Sequence, residues 1–487
     1  MSKPKHLTAP LPIDTMPSGI PYIICNEAAE RFCYYGMVSV LILYMTKRLL
    51  GADGSLATMS PEGARECFSW FTAGVYFFPI LGAILADAVL GKFWTIFSLS
   101  LVYCLGTFVL AADQTRVGLF AGLFLITLGA GGIKSNVSAN VGDQFGPKNR
   151  HLLERVFSWF YFSINVGSLF AALLIPLLLE YFGNPEHFGE RAKHLGPMVA
   201  FGVPGLLMIV AITAFWMGRK KFVHIPPAGS AMLKEACSRE GLGVMAKLAG
   251  LYMFIAVFWS LYGQSMSAWI LQADKLDRHL LTWLQPVEAW AVGAGLTGVK
   301  GLSQIEMLAG QVQSVNALLI LVLIPVFTYW VYPAVGKVVR LTPLRKIGAG
   351  LFLTVLAFAV VAYTEQLISV SPTQPPSIWW LALSYAILTV AELMVSITCL
   401  EFSYTQAPKK MKSLIMSMYL LSNAAGNVFT ALVNRFIRNE NGTIKLPGAS
   451  YYGFFAGLMF VAAVLFCVYA CFYREKTYIQ DSAEPTT

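Results

Sequence analysis

Apolar runs of about 20 residues recur along the whole chain, each ended by a short stretch rich in glycine, proline, asparagine or charge. At 1.5 Å per helical residue, a run of that length crosses a hydrocarbon layer about 30 Å thick. Read against these breakers, the pattern predicts spans at 20–47, 67–90, 93–113, 117–142, 155–181 and 196–218. A second set follows at 246–272, 311–333, 345–365, 378–405, 413–436 and 450–473. Between the two sets lies the basic segment Arg219 to Lys247. The expected organisation is a tail over 1–19, a six-helix bundle over 20–218, a linker over 219–245, a second bundle over 246–473 and a tail over 474–487.

Composition points to the same solvent. Apolar residues make up 56% of the chain and charged ones 13%, where a soluble domain carries about 25% charged. The net charge of +9 could suggest nucleic acid, but the basic residues concentrate in alternate loops instead. That asymmetry predicts a multi-pass protein of the cell membrane with both termini cytoplasmic. Its partner is then the lipid bilayer and not nucleic acid, and nothing in the pattern requires more than a monomer. The first 19 residues are polar and proline-rich, without the apolar core of a cleaved signal. Eight scattered cysteines show no CxxC spacing and read as buried thiols. No metal-ligand cluster has suitable spacing. Six plus six helices with both ends inside is the major facilitator arrangement, two pseudo-symmetric bundles around a midplane cavity. Twelve unrelated helices fit the count as well, so the motifs have to decide.

Five ionisable residues fall well inside predicted spans: Glu27, Glu30 and Arg31 in the first, Lys134 in the fourth and Glu392 in the tenth. Each costs roughly 2.5–3.5 kcal/mol at a lipid-facing helix centre. They are therefore expected to face one another or a wet cavity. Glu27, Arg31, Tyr34 and Val38 share one helical stripe, with Glu30 beside it. A carboxylate and a guanidinium four residues apart can pair, and Glu30 offers a second acceptor. A purely structural ion-pair lock is the plainer reading, although it does not need three charges within two turns.

Lys134 follows Gly129-Ala130-Gly131-Gly132-Ile133. This is not a phosphate loop, which requires Gly directly before Lys; small residues in a span let a second helix approach. Glu392 has Ser396 one turn on, and the fourth and tenth helices are counterparts in a six-plus-six fold. All six histidines fall in predicted loops or tails. Proton movement through the membrane is then left to carboxylates, which exchange protons when conformation moves them between apolar and cation-paired settings.

At Glu27-Ala28-Ala29-Glu30-Arg31-Phe32-Cys33-Tyr34-Tyr35-Gly36 the chain resembles the ExxERFxYYG signature of the proton-coupled oligopeptide transporters. Further segments resemble the same family in order along the chain. They include Tyr76 to Asp87 with Leu90-Gly91-Lys92-Phe93, then Gly131 to Lys134, and Phe160 to Leu169, which matches FYxxINxGSL. In the second half they are Phe258-Trp259 with Trp269 to Ala273, Gln313 to Asn316, and Glu392 with Glu401 to Pro408. The resemblance implies a twelve-helix major facilitator fold and proton-coupled symport of di- and tripeptides, with no cofactor and no enzymatic step. It implies that Arg31 and Lys134 face the peptide carboxylate. Glu392, with the amides of Asn165 and Asn316, would take the amino group, with Ser396 nearby. Tyr34, Tyr35 and Tyr76 would hydrogen-bond the peptide, and Trp259 and Tyr419 would line side-chain pockets. Glu27, Glu30, Arg31 and Glu392 would couple protons, and Asp87, Gly91 and Lys92 would serve gating or structure.

Some positions depart from the family. Val38 stands where a basic residue is usual and Gly263 where an acid is usual. Losing both members of an ion pair leaves no orphaned charge, so the outer side is expected to close by other contacts. Ala268 and Tyr419 replace a common Arg and Trp. The chain lacks room for two extra helices between the bundles and for a large outer domain between Glu365 and Ser377. An apolar stretch from Leu280 to Val292 in the longest outer loop is expected at the membrane interface. Asn441-Gly442-Thr443 fits a glycosylation acceptor. The competing solutes on this fold are a nitrate-like anion, an amino acid derivative or a peptide-like drug. A membrane enzyme would need a nucleophile–base pair or a metal cluster, and neither is evident; a receptor that has lost transport leaves no mark in sequence.

Overall fold

A computed structural model describes residues 7–224, 239–293, 301–406, 412–439 and 443–473. The middle of the expected linker, the C-terminal tail, Ala407-Pro408 and Asn441-Gly442 lie outside the described residues, as do the side chains of Asp87, Tyr404 and Thr405.

The chain forms an all-α membrane fold. The spans are α1 (Ile20–Lys47), α2 (Pro61–Leu85), α3 (Lys92–Ala112), α4 (Arg116–Asp143), α5 (Leu153–Phe182) and α6 (Ala192–Gly218). The second half comprises α7 (Arg239–Tyr262), α8 (Gln313–Val326), α9 (Pro343–Val370), α10 (Trp379–Glu392), α11 (Lys412–Phe436) and α12 (Ala449–Phe472). Among the described residues, ten helices are long and apolar enough to cross a membrane by length and hydropathy alone. The others are α1, which carries Glu27, Glu30 and Arg31, and α11, whose middle holds Ser422, Asn423 and Asn427. Both turn these polar groups inward: all six are buried.

Several helices are longer or less regular than the apolar pattern suggests. α2 starts at Pro61, ahead of the expected 67. Ser60 caps it by accepting from the Gly63 amide, and Glu62 pairs with Arg65 at 3.0 Å, so a polar first turn is satisfied locally. α2 ends in a π turn (Ala86–Leu90). α7 gives way to a 3₁₀ turn (Gly263–Met266) and a short helix (Ala268–Ala273). α8 continues through a π turn (Phe327–Val331) into Tyr332–Gly336, and α10 through a π turn (Leu393–Ile397) into Thr398–Gln406.

Within the first half α3 packs on α4 and α6, α1 on α5 and α6, and α2 on α4; within the second, α9 packs on α10 and α12, and α7 on α11. The halves meet along α2 with α11 and α5 with α8. α2 and α4 touch at glycines. A Cβ on Gly82 would lie 2.4 Å from the Gly132 carbonyl oxygen, so only hydrogen fits there. Gly91, at φ 76°, turns the chain from α2 into α3 through backbone space that suits glycine.

α1 runs from the side where the N-terminal tail lies to the opposite, distal side, and every second loop thereafter is distal. The α7–α8 loop is distal and includes the helix Gln285–Gly293, beside which Trp283, Val287 and Trp290 are exposed. Exposed tryptophans suit the headgroup level expected of the Leu280 to Val292 stretch.

Candidate functional site

α1 supplies the first charged group because three ionisable residues share its inner face. The Arg31 guanidinium meets Glu27 through Nε at 3.0 Å and Glu30 through Nη2 at 2.5 Å, with all three side chains at most 6% exposed. One cation between two carboxylates is a charge-assisted arrangement that would cost several kcal/mol if any member were left alone. Lys134 on α4 sits over the Tyr76 ring at 4.0 Å and the Tyr34 ring at 5.0 Å. Among the described residues it has no carboxylate within ion-pair distance. Aromatic faces therefore hold its ammonium group without neutralising it.

The second half supplies the opposite pole. Asn316 on α8 donates through Nδ2 to Glu392 at 3.0 Å and to the Thr389 hydroxyl at 2.9 Å. Tyr262 lines the same cavity as Glu392. Ser396 and Tyr419 share a hydrogen bond at 3.0 Å one turn along. Glu392, Leu393, Ser396, Ile397 and Leu400 line the same wall, at spacings that share a helical face.

A cavity of about 240 Å³ lies between the halves. Tyr35 comes from α1, Tyr161 and Asn165 from α5, Asn316 from α8, and Glu392 with Ser396 from α10. Tyr35 and Tyr76 lie within electrostatic reach of both Arg31 and Glu392, so the two poles flank one polar space. Of the sequence-predicted residues, Tyr35, Asn165, Asn316, Glu392 and Ser396 line the cavity directly. Arg31, Lys134, Tyr34 and Tyr76 form a contiguous group behind Tyr35, whose ring meets Tyr34 edge-on at 5.3 Å. Trp259 and Tyr419 pack together with centroids 6.3 Å apart and back the wall instead of lining it.

Gly91 and Lys92 lie away from the cavity. Lys92 pairs with Asp143 at 2.6 Å and ties the start of α3 to the end of α4; the side chain of Asp87 lies outside the described residues. Val38 is wholly buried. A Cβ on Gly263 would meet the Asn427 Oδ1 at 2.7 Å, so α11 occupies the space where a side chain at 263 would begin.

Tyr161, Tyr262, Ser265, Gln313 and Tyr385 also line the cavity, and sequence reasoning gave them no role. A signal existed for three of them. Tyr161 precedes Asn165 by four residues, Tyr262 follows Trp259 by three and Gln313 precedes Asn316 by three, spacings that share a helical face. Ser265 and Tyr385 carried none, because Ser265 sits in an irregular turn and Tyr385 in an apolar run.

The described helices form two halves of an all-α membrane fold with a cavity between them. The POT family model matches residues 93–238 and 235–448. Solute carrier family 15 member 2 of Homo sapiens is 35% identical over 406 residues, covering 74% of this chain and 50% of the human protein. Peptide transporter family 1 of Drosophila melanogaster is 33% identical over 403 residues, covering 74% and 49%. The chain spans about half the length of the curated relatives it matches. The crystal structure of the POT family transporter PepTSo aligns with a TM-score of 0.79 at 33% identity, over 94% of this chain and 98% of that one. The chain belongs to the POT family, as its signature residues in α1 imply.

Proposed function

We propose that this protein is a proton-coupled symporter that imports di- and tripeptides by alternating access, seated in the cell membrane with both termini cytoplasmic. One observation carries the reading: a cationic pole on the first half and an anionic pole on the second flank a single cavity. A short peptide is a zwitterion whose charged ends are common to every sequence, so gripping the ends yields breadth of substrate. Arg31 and Lys134 receive the carboxylate. Glu392, held by Asn316, receives the amino group with Asn165 across the cavity. Tyr34, Tyr35 and Tyr76 hydrogen-bond the peptide, Ser396 borders the amino end, and Trp259 and Tyr419 stiffen the wall around side chains.

Coupling follows from Arg31 having more acceptors than it can serve at once. A substrate carboxylate drawn to Arg31 competes with Glu27 and Glu30. A carboxylate that loses its cation in a buried site takes up a proton. Rocking of the halves exposes that group to the other side, where the ion pair re-forms and the proton leaves. The gradient is the only energy source, and one chain suffices.

The test is uptake of labelled dialanine into liposomes holding the purified protein, with and without an inward proton gradient, beside nitrate and a simple amine. Saturable dialanine accumulation that collapses with the gradient is expected. Gradient-driven nitrate uptake without dialanine uptake would overturn the peptide reading.

A further inference from the structure

The loop between α8 and α9 lies on the side opposite the distal one, and its charge is of one sign. Lys337, Arg340, Arg345 and Lys346 fall within ten residues, and no Asp or Glu occurs between Glu306 and Glu365. Among the described residues no carboxylate lies within ion-pair distance of any of the four. Arg345 donates through Nη1 to the Arg340 carbonyl at 3.0 Å, and Lys346 stands over the Tyr332 ring at 4.2 Å. Each contact orients a cation and leaves its charge uncancelled. Tyr329 and Trp330, exposed shortly before the loop, suit the headgroup level of a bilayer. Beside the loop, the start of α9 and the end of α12 line a groove of about 520 Å³. Its apolar lining includes Leu344, Gly348 and Phe352 from α9 with Phe466 and Ala470 from α12, and Arg345 lines it too.

We propose that this groove and the basic loop beside it form a binding site for one anionic phospholipid, with an acyl chain in the groove and the phosphate at Arg345, beside Arg340. Basic residues collect on one side of a membrane protein for topology alone. Topology does not call for an apolar groove that shares a residue with them, and a lipid needs both parts. The cations also decide the class of lipid. A zwitterionic headgroup carries an ammonium that Lys337, Arg340 and Lys346 repel, whereas an anionic one meets attraction from all sides. Each Lys or Arg near an anionic headgroup is worth about fivefold in binding.

The test needs no transport, so it stands whether or not the solute is a peptide. The full chain is placed in nanodiscs of phosphatidylcholine doped with a phosphatidylglycerol whose acyl chain carries a diazirine. After illumination, labelled peptides are mapped by mass spectrometry. Label is expected to concentrate on residues 343–352 and 466–473, to be displaced by unlabelled phosphatidylglycerol, and to be about fivefold or more weaker with a matching phosphatidylcholine probe. Arg340→Gln with Arg345→Gln should reduce it there about tenfold or more. Ala349 lines the groove and is exposed, so Ala349→Phe fills the space, leaves the cations in place and should reduce the label as well. Melting temperatures confirm that each variant is folded, and Lys337→Gln with Lys346→Gln replaces the arginine pair if that pair does not fold. Equal labelling by the two probes would mean ordinary surrounding lipid and overturn the site. Label that survives both kinds of variant, or that spreads evenly over the helices, would overturn it too.

Discussion

Glu392 and Gly263 show what a single residue decides. Glu392 accepts a hydrogen bond from Asn316 of α8, and removing its charge should leave the shape intact. Glu392→Gln is expected to weaken binding of dialanine about tenfold or more and binding of an amino-blocked dipeptide much less, since a charged hydrogen bond is worth about 1.5–3 kcal/mol. Competition of both ligands against a fluorescent peptide measures this; equal losses would remove Glu392 from the amino-group role. Gly263 is constrained by its neighbour in space. Gly263→Asp drives a Cβ to within 2.7 Å of Asn427 Oδ1 and buries a carboxylate with no cation at Val38. It should destabilise the protein by about 1–3 kcal/mol, read as a lower melting temperature. Asn427→Ala in the same chain should recover part of the loss, whereas strictly additive losses would mean the two side chains do not meet.

Elements were legible in the sequence to the extent that they follow simple periodicity. Runs of apolar residues located all the spans, and the charge inside α10 falls on the cavity while those inside α1 and α4 group behind Tyr35. Irregularities within spans were not legible. The π turns Ala86–Leu90, Phe327–Val331 and Leu393–Ile397 leave no mark in an apolar run, since a single extra residue per turn barely disturbs hydropathy. The short helical extension of α7 was hidden for the same reason. The starts of α2 and α7 were placed late because their first turns are polar, which an apolar window discards; in α2 that turn is stabilised by a local cap and ion pair. Single-turn π segments are common at functional sites, and one directly follows Glu392. Deleting Met394 removes the extra residue of this turn and should leave regular helix with the flanking turns in register. The expectation is a folded, monodisperse protein that still binds dialanine by calorimetry. Lost binding would mean that the wider turn itself shapes the wall.

A second prediction at this scale concerns contact between helices. Gly82 and Gly132 let α2 and α4 meet backbone to backbone, which sets Lys134 beside Tyr76. Gly82→Val has no side chain to displace, only main chain, so accommodation requires moving a whole helix. Reduced yield of folded protein and lost uptake are expected, and a Gly82→Val variant with normal uptake would show that the helices can part without consequence.

At the scale of the molecule, the division of labour between the halves matters more than any one contact. Arg31 and Lys134 belong to the first half, while Glu392, Asn316 and Tyr262 belong to the second, and no described ion pair joins these two poles. If the halves rock as proposed, a solute bound at both ends becomes a strut between two moving bodies. Too short, it cannot span them; too long, it wedges them apart and stalls the swing. On that proposal the protein measures its cargo without a pocket of fixed depth, and the ruler is the travel of its own machinery.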